Sequence, residues 1–166
     1  MSHFICGEFV FKSHLPVKRQ EELSFKLTEA ALSNHFALQL GCNIVQDIVF
    51  EILKMERATS DAKELPFLVT TSPLADSSDG LISPYTLALP PDLYYAKLEE
   101  NLQRLKQFLV GINEMGVLST LTVVFSEGFD DSYEEINTSL DSFIEQCINA
   151  FKKEEGVPSL RVRIQP

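Results

Sequence analysis

The sequence predicts an α/β fold, in which a single-layer mixed sheet of about five to six strands carries three packed helices. Helix-like and strand-like segments alternate through the second half of the chain, as expected when helices cross over a sheet between strands. One β-branched and apolar run, residues 117–126, suits a central strand covered on both faces. At least one right-handed parallel crossover follows from this order. An α+β arrangement is the alternative.

The first part of the chain contains one clear strand and one ambiguous segment. Residues 3–12 are rich in Phe, Ile and Val and predict a strand. Residues 23–27 alternate apolar and polar side chains, which predicts a second strand and therefore a β-hairpin. The alternative for this segment is a helix over residues 17–32 with Pro16 near its first turn.

The middle of the chain predicts a helix followed by two strands. A row of apolar residues at spacing four predicts a helix that begins near residues 33–34 and ends at residues 56–59. Residues 65–71 and 81–89 have the composition of strands, and the turn-forming residues 72–80 separate them.

The last third of the chain alternates helix and strand. A Pro-Pro-Asp sequence at residues 90–92 opens a helix that Gly116 ends. Apolar residues keep helical spacing over residues 136–151 and predict a further helix. Residues 160–164 alternate apolar side chains with arginines and predict a last strand at the sheet edge. The predicted buried face of the first of these helices comprises Leu98, Leu102, Leu105, Leu109 and Ile112.

The composition is that of an ordinary folded domain with an acidic excess. The chain has 166 residues, 45% hydrophobic and 23% charged, so residues 1–166 are expected to form a single globular domain. The formal net charge is −10, and most of the acidic excess lies in residues 61–166. This charge argues against sequence-independent binding of nucleic acid, which depends on lysine and arginine, and against binding to anionic membranes.

The cysteines and the N-terminus both indicate a reducing compartment. Cys6, Cys42 and Cys147 are odd in number, widely spaced and set in apolar runs, so we expect three buried free thiols. The first residues lack the basic region and cleavage site of a signal peptide. No apolar stretch approaches the ~18 residues that a transmembrane helix needs. The expected location is the cytoplasm.

No residue pattern in the sequence identifies a catalytic or metal site. The histidines His3, His14 and His35 lie far apart, and none stands three or four residues from another histidine or cysteine. Residues 76–80 resemble a calcium loop only superficially, because the glycine and the final glutamate of an EF-hand are out of place. Nucleophile, phosphate-loop and dinucleotide motifs are missing too, so we expect no catalytic residue, metal or cofactor.

The most distinctive feature is a segment over residues 127–135 that combines five carboxylates with two aromatic rings and no basic residue. We call it the acidic segment. Its charges can attract a basic partner and its rings can anchor that partner. The alternative is helix capping, since carboxylates are favoured before and within the first turn of the helix predicted next. The candidate partner-binding residues are Glu127, Phe129, Asp130, Asp131, Tyr133, Glu134 and Glu135.

In size, acidity and this segment, the chain resembles the bacterial immunity proteins of contact-dependent growth inhibition systems. The resemblance implies a tight complex with a basic toxin domain, often a nuclease, whose active or substrate-binding surface is occluded. In such a complex the carboxylates would speed association, while Phe129 and Tyr133 would slow dissociation. Two other functions stay open. One is a small enzyme with a site assembled from residues 76–80 and strand ends, and the other is an acidic adaptor subunit that pairs through residues 160–164.

Overall fold

The described part of the chain folds into six strands and three helices. The computed structural model describes residues 3–14, 16–40, 64–72, 74–75, 77–82, 89–127, 133–154 and 157–165. In chain order the elements are β1 (His3–Phe11), α1 (Val17–Ser33), β2 (Ala37–Gln39), β3 (Glu64–Thr70), α2 (Pro91–Glu114), β4 (Leu118–Glu127), β5 (Glu134–Ser139), α3 (Phe143–Glu154) and β6 (Leu160–Gln165).

The six strands form one mixed sheet in the order β2-β3-β1-β4-β6-β5. Neighbouring strands are antiparallel except for β5 and β6, which are parallel and are joined by α3. Parallel neighbours need a crossover connection of this kind, because a tight turn can join only antiparallel strands. The predicted α/β class, with a mixed sheet of five to six strands and three helices, is confirmed.

All three helices pack on one side of the sheet, which we call the helix face. Side chains alternate between the two sides along each strand. Those on the helix face, such as Val123 and Val162, join the apolar stripes of the helices in one core. The ring of Phe9 stacks on that of Phe67 and meets the ring of Phe108 from α2 edge-on. The opposite side of the sheet is called the second face below.

The sequence predicted α2 and β4 correctly. Pro91 lies in the first turn of α2, where its missing N–H removes no helical hydrogen bond, and Gly116 follows the helix at φ +70. The five residues of the predicted face are all buried. β4 lies in the interior of the sheet, between β1 and β6. Within the described ranges, no helix combines the length and the apolar composition that crossing a bilayer requires.

The segment after Pro16 corrects the predicted hairpin, because it forms the helix α1 and not a strand. Leu23, Leu27 and Ala31 are buried at spacing four, which is a helical period. Phe25, whose position suggested strand alternation, is 65% exposed. The helix that the sequence left as an alternative is therefore the observed structure.

The helix predicted from residues 33–34 onward does not begin there. Residues 37–39 form the short strand β2, which pairs with β3. The remainder of that predicted helix from residue 41 onward lies outside the described residues. Of the predicted strand 81–89, residues 83–88 also lie outside the described residues. The strand predicted over residues 65–71 is confirmed as β3.

The last third of the chain holds two further corrections. Residues 134–139 form the strand β5, and α3 begins only at Phe143, so the predicted helix starts too early. β5 has one apolar side chain, Ile136, and extends because it pairs with β6 along its whole length. This pairing places β6 between β4 and β5 and not at the sheet edge where it was predicted.

Two of the three cysteines are buried free thiols, as predicted, and Cys42 lies outside the described residues. Burial raises the pKa of Cys6 to about 12 and raises the pKa of Cys147 as well. Since the thiolate is the reactive form, we expect a water-soluble maleimide to leave both thiols unmodified in the native protein and to modify them once urea unfolds it. Mass spectrometry of the labelled peptides measures this. Native labelling of Cys147 as fast as unfolded labelling would contradict its placement.

Candidate binding site

The acidic segment connects β4 to β5 at one end of the sheet. Three of its candidate residues lie outside the described residues: Phe129, Asp130 and Asp131. The other four are Glu127, the last residue of β4, then Tyr133, and then Glu134 and Glu135, the first two residues of β5. Helix capping does not account for the two β5 glutamates, because they lie in a strand and α3 begins eight residues later.

Glu135 and Tyr133 make contacts within the chain. Glu135 Oε1 lies 3.5 Å from Nη1 of Arg161 and 3.5 Å from Nη2 of Arg163. The Arg161 guanidinium also lies 5.5 Å from the centre of the Tyr133 ring, and the Tyr133 hydroxyl is 3.2 Å from Oγ of Ser126. These contacts hold β5 and the residue before it against β6 and β4. The charge of Glu135 is thus partly neutralised inside the protein.

Glu134 keeps its charge exposed to solvent. Its Oε1 lies 4.0 Å from Nζ of Lys153, and both side chains are about half exposed or more. An exposed pair at this distance contributes little, so Glu134 can turn to an incoming basic group at small cost.

Glu127 belongs to a histidine cluster at the same end of the sheet. His3 is buried, and its Nδ1 lies 3.0 Å from Oδ1 of Asp79, which also accepts the His3 backbone N–H at 2.9 Å. Glu127 Oε1 is 3.9 Å from Nε2 of the same ring. The cluster fastens residues 77–80 to the start of β1. The described part of the loop that the sequence analysis considered for an enzyme site therefore stabilises the fold. Among the described residues, no group of three or more histidines, cysteines or acids could hold a metal ion.

β5 is an edge strand, and half of its backbone is directed away from the sheet. In a parallel ladder only alternate residues of an edge strand bond their neighbour. The Glu134 N–H donates to the Ser159 carbonyl at 3.0 Å, so Glu134, Ile136 and Thr138 are the residues that bond β6. The backbone groups of Glu135, Asn137 and Ser139 are directed outward, and no described strand pairs with them.

A polar groove of about 230 Å³ crosses the second face of the sheet. One row of paired positions runs through it from β1 to β5: Glu8, Thr122, Arg163 and Asn137. Thr120, Arg161, Ile164 and Gln165 complete its lining. The neighbouring row is apolar at Cys6 and Val124, which are both fully buried, and reaches Arg161 on β6.

The carboxyl group of Glu8 is half-buried in this groove. Burial raises its pKa above the ordinary 4.5, the negative charge of Glu64 on β3 raises it further, and Arg161 and Arg163 lower it. The net direction is upward, so the folded protein holds this proton more tightly than the unfolded chain does.

Replacing Glu8 by Gln is expected to stabilise the protein at neutral pH but not in acid. Between the ordinary pKa and the raised one, the folded state binds more protons, so the free energy of unfolding decreases as the pH rises through that interval. The glutamine side chain carries no charge at any pH, so burying it costs no charge desolvation. The variant therefore lacks this decrease in the free energy of unfolding. Urea midpoints of the two proteins at about pH 4 and pH 7 measure the difference. Glu21→Gln on the exposed surface of α1 controls for the loss of one charge, and equal midpoints for Glu8→Gln and the parent at neutral pH would contradict the account.

Comparison of the chain with protein-family models, with curated proteins and with solved structures finds no match. The sequence analysis identified the acidic segment but missed the groove. The groove residues come from four strands that are far apart in the chain. The only local signal was the alternation of arginine with apolar residues in β6, which suggested an exposed edge instead.

Proposed function

We propose that this protein is a binding domain that pairs with a basic protein partner along β5 and neutralises it, as a toxin-immunity protein does. The observation that carries the proposal is the position of β5. An edge strand with outward backbone groups accepts a strand from another chain, and the main-chain hydrogen bonds supply affinity. The acidic segment leads directly into that edge.

Charge selects the partner. The chain carries a formal charge of −10, and Glu134 on β5 and Glu127 at the end of β4 present half-exposed carboxylates at the same end of the sheet. A basic partner is steered toward such a surface and an acidic one is repelled. Asp130 and Asp131 add two further charges to the segment in sequence. A basic toxin domain, such as a nuclease that binds phosphates, fits this surface.

A pair of substitutions at Asn137 tests the edge. Proline removes the outward N–H and blocks an added strand, but it leaves the bonds of Ile136 and Thr138 to β6 in place. Threonine at the same position changes the side chain and keeps the N–H. We expect the parent protein and Asn137→Thr to capture one basic partner from lysate of the source organism, and Asn137→Pro to lose it. Equal capture by the two variants, or no partner with any of them, would contradict the proposal.

A second pair tests the charge. Glu134→Lys and Glu29→Lys change the net charge equally, but Glu29 is exposed on α1, away from β5. We expect only Glu134→Lys to weaken capture at ~50 mM salt, with the difference fading at ~500 mM, where exposed charges are screened. Equal weakening by both would show that net charge and not this edge guides binding.

Neutralisation is tested with the captured partner. Expression of that partner alone in a bacterial host should arrest growth, and co-expression with the parent chain should restore it. Co-expression with Asn137→Pro should not. A partner that is harmless on its own would favour the adaptor function over immunity.

A further inference from the structure

We propose that the groove on the second face binds a small organic oxyanion, either a phosphate ester or a carboxylate, through Arg161 and Arg163. This site uses side chains on the second face and not the outward backbone groups of β5, and it does not depend on the proposed partner. Three features of the groove support it: its unused polar groups, the arrangement of its arginines and its size.

Several polar side chains of the groove make no hydrogen bond within the described chain. Thr122 is only 8% exposed, yet its hydroxyl makes no hydrogen bond to any described residue. Among the described residues, the side chains of Glu8, Asn137 and Gln165 also make no hydrogen bond or ion pair. Because these groups line the groove and are not engaged by the described chain, they can hydrogen-bond a polar molecule that enters it.

The two arginines carry more donors than their partner uses. Both guanidinium groups approach the same oxygen of Glu135, at 3.5 Å each. The Nε atom of Arg161 is buried and has no hydrogen-bond partner. The other carboxylate of the groove, Glu8, forms no ion pair with either arginine, although their positive charges act to lower its pKa. The second guanidinium and the free Nε–H leave donors for a carboxylate or phosphate, which arginine binds in a fork geometry.

The groove is larger than a bare inorganic ion. A volume of about 230 Å³ equals that of seven or eight molecules of liquid water, at about 30 Å³ each. Phosphate would fill only part of it. The hydroxyl of Thr120 and the amides of Asn137 and Gln165 lie where the rest of an organic ligand would make hydrogen bonds.

Nuclear magnetic resonance tests the proposal directly, because the Nε–H of Arg161 gives its own signal in nitrogen-15-labelled protein. The probes are a hexose phosphate, citrate and inorganic phosphate, each titrated to ~10 mM, which detects weak binding. We expect one organic probe to shift the Arg161 signal at a lower concentration than inorganic phosphate does, and the responding probe tells phosphate esters from carboxylates. The Nε–H of Arg104 on α2, which pairs with Glu100, is the internal control and should not shift.

Two variants keep the test decisive. Thr122→Val keeps the shape of the side chain, removes the hydroxyl and should weaken binding about tenfold, whereas Thr138→Val on the other side of the sheet should not. With the Nε–H signal of Arg163 as the reporter, Arg161→Gln should abolish the response, and Arg104→Gln should leave it intact. The proposal is overturned if neither organic probe moves the Arg161 signal. It is also overturned if all three anions bind equally, since that means an adventitious ion only.

Discussion

Replacing Gly7 by alanine is expected to destabilise the protein by about 3 kcal/mol, although the change adds only one methyl group. A Cβ atom at this position would lie 2.0 Å from the carbonyl oxygen of Thr122 and 2.8 Å from Cζ of Phe67. The closer contact is with the backbone of β4, so no change of rotamer relieves it. The two central strands must move apart at the middle of the sheet. Of a typical total stability of ~5–15 kcal/mol, this is a large part.

Urea unfolding followed by circular dichroism measures the effect, and Gly111 provides the control. Gly111 lies inside α2, and a Cβ there meets no atom within 4 Å. Gly111→Ala adds the same methyl group and should stabilise the protein by up to ~1 kcal/mol through helix propensity. If the free energy of unfolding of Gly7→Ala differed from that of the parent by less than ~0.5 kcal/mol, the close approach of β1 to β4 would be contradicted.

Replacing Ser78 by alanine is expected to cost about 2–6 kcal/mol, from the loss of one hydroxyl group. Ser78 is fully buried at the end of the β1–β3 ladder. Its Oγ accepts the N–H of Ile5 at 2.6 Å and donates to the carbonyl of Val69 at 2.5 Å, and these two residues face each other in the ladder. Alanine removes both hydrogen bonds at a fully buried position where water cannot replace them. Each bond lost in this way costs ~1–3 kcal/mol.

The neighbouring serine is the matched control for this prediction. Ser77 Oγ lies 3.1 Å from Oδ2 of Asp79 in a half-buried position where water can replace the bond. Ser77→Ala should therefore cost less than ~1 kcal/mol. Thermal or urea unfolding of the two variants decides the matter. Similar losses for both would mean that Ser78 does not bridge β1 and β3.

The elements that the sequence predicted correctly are those whose burial is periodic and strong. The five residues of α2 predicted at spacing three or four are all buried, and β4 is a nearly continuous run of β-branched and apolar residues, so local pattern and tertiary burial agree. α1 was ambiguous because Phe25 projects from its surface, and one exposed aromatic residue turned a spacing of four into an apparent alternation. The competing helical pattern, Leu23, Leu27 and Ala31 at spacing four, was also present in the sequence, but it is less pronounced than the alternation.

β5 could not be found from its own residues. Its sequence is polar and four of its six residues are exposed, and its conformation depends on pairing with β6, which follows it only after α3. The groove and the ion pairs of Glu135 could not be predicted for the same reason, because they also depend on which strands pair. Positions such as Glu8 and Arg163 lie far apart in the chain and meet only when the register of four strands is known. The acidic segment, in contrast, is visible in sequence because its charges are contiguous.

Hydrogen exchange of the β5 amides, with and without the captured partner, tests the central claim most directly. In the free protein the amides of Glu135 and Asn137 should exchange rapidly, whereas those of Ile136 and Thr138, which bond β6, should be protected. In the complex all four should be protected, because a strand added to the edge bonds the outward groups. A partner that binds while Asn137 still exchanges as in the free protein would contradict binding along β5.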